Sequence, residues 1–152
     1  MITGRYEIGS EEESLDLAMR LGESLGAGDV VAFFGGMGLG KTLFTRGIAQ
    51  GMGLNPDQVS SPTFAIVNKY DGDGKTLYHF DAYRVTGEST LQPTGYFDIL
   101  GKETMVIEWG ENITNFLPIS AVRVHLLPGK DKNSRIIIIE DPLERLNEDP
   151  GP

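Results

Sequence analysis

Apolar and polar positions along the chain change period several times, and each change marks an element. Leu15, Ala18, Leu21 and Leu25 recur at helical spacing behind Ser10 and Glu13, which are spaced as a capping box. An amphipathic helix is therefore expected over residues 11 to 25. After "AGD" comes "VVAFF", Val30 to Phe34, a continuous apolar run suited to a strand covered on both faces. A glycine-rich stretch follows, then a helical pattern from about Lys41 to Met52 that Gly53 closes. "TFAIVNKY" and "TLYHFDAYR" flank "DGDGK", two strands around a hairpin turn. Residues 86 to 100 are irregular and polar, with room for a short helix. "TMVIEWG", Thr104 to Gly110, is a second buried-strand run and ends in a glutamate, and "AVRVHLL" with "RIIIIE" gives a late strand pair. "EDPLERLNEDPGP" is acidic and is expected to fray. No internal repeat is present. Strand, glycine loop, helix and further strands predict a three-layer α/β fold around a mixed central sheet. The expected division is a single domain over residues 1 to 140 and an acidic, flexible tail over 141 to 152.

Composition narrows the function. At 152 residues the chain has room for one domain with a real core. It has no cysteine, which excludes disulfides, thiolate zinc sites and a cysteine nucleophile. No apolar run approaches the roughly 20 residues of a membrane span, and the start lacks the basic-then-apolar pattern of a signal peptide. A cytoplasmic location without membrane contact is the expectation. A net charge of −9 argues against an autonomous nucleic-acid binder, because affinity for phosphate backbones comes from clustered Lys and Arg. Work on RNA would need a partner.

The glycine stretch carries the chemistry. In "FFGGMGLGKTLFTRG", Gly35, four residues and then Gly40-Lys41-Thr42 match the phosphate-cradling pattern G-x-x-x-x-G-K-[ST]. A glycine-rich turn without function would also fit a strand-to-helix connection. The position between an apolar strand and a helix is the one where backbone N–H groups and the helix N-terminus converge on an anion. This predicts a P-loop NTPase-like fold. Gly36, Met37, Gly38, Leu39, Gly40, Lys41, Thr42 and Leu43 then line the phosphates. Lys41 reaches the outer ones, and the Thr42 hydroxyl is offered to Mg²⁺. The acidic partner of such a site belongs at the C-terminal end of a neighbouring buried strand, where "MVIE" puts Glu108. A surface carboxylate ending a strand is the alternative, which the apolar residues before it disfavour. Asp81, in "YHFDAYR", is the second candidate acid. It either pairs with Arg84 or faces the metal and attacking water, and the second is preferred.

Asn68-Lys69-Tyr70-Asp71 matches the guanine-reading N-K-x-D, and Asp71 to Gly74 matches D-x-x-G. Both fall in one hairpin soon after the glycine loop, in the wrong order for a GTPase. They are taken as a strand end and turn, and the nucleotide as ATP.

"GDVVAFFGGMGLGKTLFTRGIAQGMG", "SSPTFAIVNKY", "LYHFDAYR", "VIEWGE" and "FLP" resemble, in order and spacing, the TsaE (YjeE) family over roughly Ser10 to Arg135. The resemblance implies a bacterial cytoplasmic ATPase needed for threonylcarbamoyladenosine at position 37 of ANN-decoding tRNAs. It implies TsaD and TsaB as partners, with TsaD making the transfer, TsaC or its relative supplying threonylcarbamoyl-adenylate, and tRNA met only through the complex. By the same resemblance Gly38, Gly40 and Lys41 hold phosphates, and Thr42 with Glu108 holds Mg²⁺. Asp81 is then needed for hydrolysis, Ser61, Pro62 and Thr63 close over the phosphates, and Trp109 lies beside the metal acid. The chain departs from the family's usual G-D-L-G-A-G-K-T-T loop. Gly36 replaces the acid, Met37 and Leu39 differ, and Leu43 replaces the second threonine. The acidic helix expected after the Y-H-F-D-x-Y-R segment is here "GESTLQPTG". These departures bear on hydrolysis more than on nucleotide binding. Two other classes stay open, a nucleotide-gated interaction module with negligible turnover and a small-molecule P-loop kinase. The kinase lacks the arginine-rich acceptor site it would need.

Overall fold

A computed structural model describes residues 2–35, 40–60 and 67–144. Seven strands form one sheet in the order β1-β7-β6-β2-β5-β4-β3: β1 (Gly4–Ile8), β2 (Val30–Phe34), β3 (Val67–Gly72), β4 (Lys75–Asp81), β5 (Thr104–Glu108), β6 (Val122–Pro128) and β7 (Arg135–Glu140). The four central strands β6, β2, β5 and β4 run parallel, and antiparallel pairs close both edges. The sheet is mixed, as the sequence predicts.

The expected helices form where the periodicity places them. Helix α1 spans Glu11–Ser24, and the Ser10 hydroxyl accepts the Glu13 N–H at 3.2 Å, which satisfies one orphan donor of the first turn. Helix α2 spans Lys41–Gly51 and leaves the loop through Gly40, which sits in the left-handed region at φ 89°. That conformation disfavours any side chain with a Cβ. The two helices share one sheet face and pack unusually close. A Cβ at Gly22 would overlap the Ile48 carbonyl, and one at Gly51 would overlap the Met19 carbonyl. Leu17, Leu21, Phe44 and Ile48 fill this layer against Val31, Phe33, Leu77 and Val106.

The opposite face is covered by the irregular stretch. Short helices α3 (Glu88–Leu91) and α4 (Tyr96–Ile99), with 3-10 turns around them, bring Leu91, Tyr96 and Ile113 onto Val30, Phe80, Met105 and Ile107. Burial pushes the Tyr96 hydroxyl up from 10.0 to about 12, and it donates to the Phe116 carbonyl at 2.8 Å. Three layers result. The hairpin turn uses Asp73 and Gly74, both at positive φ, and Asn68 to Asp71 lie in β3 as a strand.

Strand β1 has no counterpart in the sequence expectations. It is a charged edge strand paired with β7, its Arg5 and Glu7 exposed, and Ile8 its one buried side chain. After β7, the Asp141 N–H donates to the Thr3 hydroxyl at 3.1 Å. The tail residues 145–152, and the part of the "TFAIVNKY" strand before Val67, lie outside the described residues.

Candidate functional site

Parallel pairing decides which side chains meet. β2 lies between β5 and β6, so the C-terminal ends of β2 and β5 open at the same rim of the sheet. Ligands meet open α/β sheets at such a rim. β4 and β5 pair with Asp81 opposite Glu108. Residues in register share a face, so the two candidate acids stand side by side on the face covered by α1 and α2.

Lys41 opens α2 and is buried at 6% exposure. Its ammonium donates to the Gly35 carbonyl at 3.3 Å, lies 4.0 Å from Glu108 Oε1 and sits 4.8 Å from the centre of the Trp109 ring. An isolated buried ammonium is costly to desolvate, and here one carbonyl, one distant carboxylate and one aromatic face attend it. The Gly35 N–H donates to Glu111 Oε2 at 3.3 Å. Thr42 follows on the first turn, half-buried.

Glu108 ends β5, every residue of which is buried. Its Oε2 is held by His79 Nε2 at 2.6 Å, and the other imidazole nitrogen meets the Tyr70 hydroxyl at 2.9 Å. That hydroxyl lies 3.0 Å from the Ser60 carbonyl and accepts the Ser60 N–H at 3.3 Å. Neither His79 nor Tyr70 is among the sequence-derived candidates. The signal lay in the two-residue period of "YHFDAYR". His79 falls on the same face as Asp81, and a polar side chain inside a buried strand requires a partner.

Asp81 is half-buried, and its Oδ1 accepts the Tyr83 N–H at 2.9 Å. No ion pair joins it to Arg84, which is exposed. The pairing weighed from the sequence does not form, because the chain turns immediately after Asp81 and that turn supplies a backbone donor instead. The turn is fastened by Ala82 N–H to the Glu108 carbonyl at 3.0 Å and by the Asn112 amide to the Ala82 and Tyr83 carbonyls at 3.0 and 3.1 Å. Trp109 adopts a left-handed φ of 61°, a strained conformation for a bulky residue. It packs at a tilt against the exposed Tyr83 ring, with centroids 5.0 Å apart.

A cavity of about 380 Å³ adjoins the start of α2, lined by Gly40 and Leu43 together with Ser10, Glu11, Lys132 and Asn133. Among the described residues no cluster of three or more His, Cys, Asp or Glu could by itself cage a metal, and no helix is long and apolar enough to cross a membrane. Gly36, Met37, Gly38 and Leu39, and the Ser61–Pro62–Thr63 segment, lie outside the described residues.

Strand order, and a loop running from the central strand into α2, place this chain in the P-loop NTPase-like class of α/β folds. Within that class it belongs to the TsaE family. The family model described as "Threonylcarbamoyl adenosine biosynthesis protein TsaE" matches residues 8–137. The tRNA threonylcarbamoyladenosine biosynthesis protein TsaE of Rickettsia conorii is 33% identical over 134 residues, covering 88% of this chain and 76% of the relative. That of Streptomyces coelicolor is 38% identical over 114 residues, covering 73% and 76%. That of Treponema pallidum is 35% identical over 119 residues, covering 78% and 87%. In three dimensions the chain is similar to the crystal structure of Bacillus subtilis YdiB. The TM-score is 0.70 at 26% identity, over 95% of this chain and 90% of that one.

Proposed function

We propose that this protein binds and hydrolyses ATP with Mg²⁺ in the cytoplasm, and that it supports threonylcarbamoyladenosine formation on ANN-decoding tRNAs through a TsaD–TsaB complex. One observation carries the ATP site. A buried lysine at the start of α2 faces a buried glutamate at the end of the neighbouring strand, with Asp81 beside it in register. Family membership supplies the pathway.

The donor set fits magnesium. Mg²⁺ is characteristically held by one or two protein oxygens, with substrate phosphates and water completing an octahedron. Thr42 Oγ1 and Glu108 Oε1 are such oxygens, and the absence of a larger acidic cluster among the described residues suits a metal shared with its nucleotide. Bound there, the ion would neutralise charge on the phosphates.

The chain's own groups do the rest. Lys41 moves from the Gly35 carbonyl to the outer phosphates. The Gly36 to Leu43 loop offers backbone N–H groups to them, with Gly38 and Gly40 letting the backbone approach closely. Among the described residues Asp81 Oδ2 makes no hydrogen bond, so it is available to orient an attacking water. The cavity beside Gly40 and Leu43 has the volume for the base and ribose.

Lys41→Ala tests the site. Loss of the charged hydrogen bond is worth on the order of 1.5–3 kcal/mol, so calorimetry should show ATP binding weakened at least tenfold while circular dichroism stays native. Unchanged affinity in the folded variant would remove the assignment. For the pathway, the test is a reconstituted tRNA-modification assay run with this protein omitted and then restored.

A further inference from the structure

Among the described residues the side-chain hydrogen bond of Glu108 is made to His79 and not to the nucleotide loop. Its Oε2 is bonded to His79, which is completely buried, and only Oε1 is turned toward Lys41, at 4.0 Å. That distance is beyond a hydrogen bond, so Oε1 keeps its lone pairs for another ligand. The last torsion of a glutamate is soft. Without the imidazole the carboxylate could swing until Lys41 held both oxygens, which would occupy the two groups the nucleotide and its metal require.

We propose that His79, fixed by Tyr70, is a positioning residue that presents Glu108 to Mg²⁺ through a single oxygen and keeps it off Lys41. The proposal rests on the nucleotide-site reading above. Donor and acceptor counts assign the tautomer. A carboxylate on Oε2 requires His79 Nε2 to carry a hydrogen, so Nδ1 faces the Tyr70 hydroxyl at 2.9 Å as an acceptor and shares that hydroxyl's single hydrogen with the Ser60 carbonyl at 3.0 Å. The phenol oxygen in turn accepts from the Ser60 N–H and from the Asn68 amide, the latter at 3.4 Å. The hydrogen-bonded chain thus runs unbroken from Ser60 through Tyr70 and His79 to Glu108, and its end is Oε1, which makes no hydrogen bond among the described residues. Partners of this kind behind a metal ligand set its orientation and typically govern metal affinity by about 10–100-fold.

The full chain is titrated with a fluorescent ATP analogue in EDTA and across Mg²⁺ concentration, for the wild type and for His79→Leu, His79→Gln, Tyr70→Phe and the double variant with His79→Leu. His79→Leu should raise the Mg²⁺ concentration for half-maximal tightening at least tenfold and leave affinity in EDTA within about threefold. His79→Gln, whose amide can restore a donor near Nε2, should recover most of that loss. Tyr70→Phe should shift it a few-fold, and the double variant should be no worse than His79→Leu, because Tyr70 acts only through the imidazole. An unmoved Mg²⁺ requirement in folded His79→Leu, equal losses with and without Mg²⁺, or additive shifts in the double variant would overturn the proposal. If His79→Leu does not fold, Tyr70→Phe decides alone, and an unmoved Mg²⁺ requirement there overturns it. A wild type whose nucleotide binding ignores Mg²⁺ would refute the site reading itself, and the proposal with it.

Discussion

At the scale of single residues, the two acids differ more in surroundings than their register suggests. Glu108 is sealed behind His79, whereas Asp81 keeps one oxygen free at a half-buried edge. Glu108→Gln should therefore weaken Mg²⁺-dependent nucleotide binding, since a neutral amide is a poor ligand for a hard cation. Asp81→Asn should bind nearly normally and stop turnover. Calorimetry beside phosphate-release assays separates the two, and equal binding loss in both would mean the roles are misassigned. Tyr96 gives a pH-dependent test. Its folded value is raised by burial from 10.0 to about 12, so the neutral hydroxyl is favoured in the folded state. The stabilisation is fully present below pH 10.0 and is lost as the unfolded chain ionises first, between 10.0 and about 12. The linked loss is roughly 2–3 kcal/mol. Urea unfolding should show that decline in the wild type but not in Tyr96→Phe.

At the scale of elements, the contact of α1 with α2 depends on missing side chains. Gly22→Ala would improve intrinsic helix propensity by about 1 kcal/mol. The new methyl group would meet the Ile48 backbone, which cannot step aside as a flexible side chain would. Overpacking of this kind costs about 1–3 kcal/mol. The variant should be less stable, by a lowered urea midpoint, despite a better helix former. Strands β2 and β5 were legible because both faces are covered and the apolar run is unbroken. β1 was not, because a short edge strand with Arg5 and Glu7 outward turns only Tyr6 and Ile8 inward and carries little pattern. Asp81 and Glu108 were expected at one site, but the register that sets them side by side was not legible, for a different reason. It depends on β4 pairing parallel with β5 across the whole irregular stretch, and register over such a crossover is not written locally. His79 was overlooked because the chemistry was sought among acids, and its role emerges only once its partner is in place.

At the scale of the whole molecule, the candidate site sits at one rim of the sheet. Arg84 is exposed and unpaired with Asp81, and Arg46 points away on α2, also exposed, so among the described residues no arginine stands against the acids to stabilise charge on a transferring phosphoryl group. ATP turnover by the isolated protein should be slow, and a TsaD–TsaB partner covering this rim should accelerate it by excluding water and adding positive charge to a chain of net charge −9. Reciprocity then requires ATP to tighten the complex by the factor with which the complex tightens ATP. Pull-down titration with ATP, ADP and no nucleotide, run beside phosphate release, measures both. The same affinity in all three states and an unchanged rate would exclude the coupling.

Trp109 is the chain's one tryptophan, and its indole lies under the Lys41 ammonium at 4.8 Å. A positive charge over that ring alters its excited state, and departure of the charge toward a phosphate would alter it again. If Lys41 engages a nucleotide as proposed, this indole becomes a built-in optical gauge of site occupancy. Its emission should then follow nucleotide arrival in real time without any attached dye, with red-edge excitation separating the one indole from the five tyrosines.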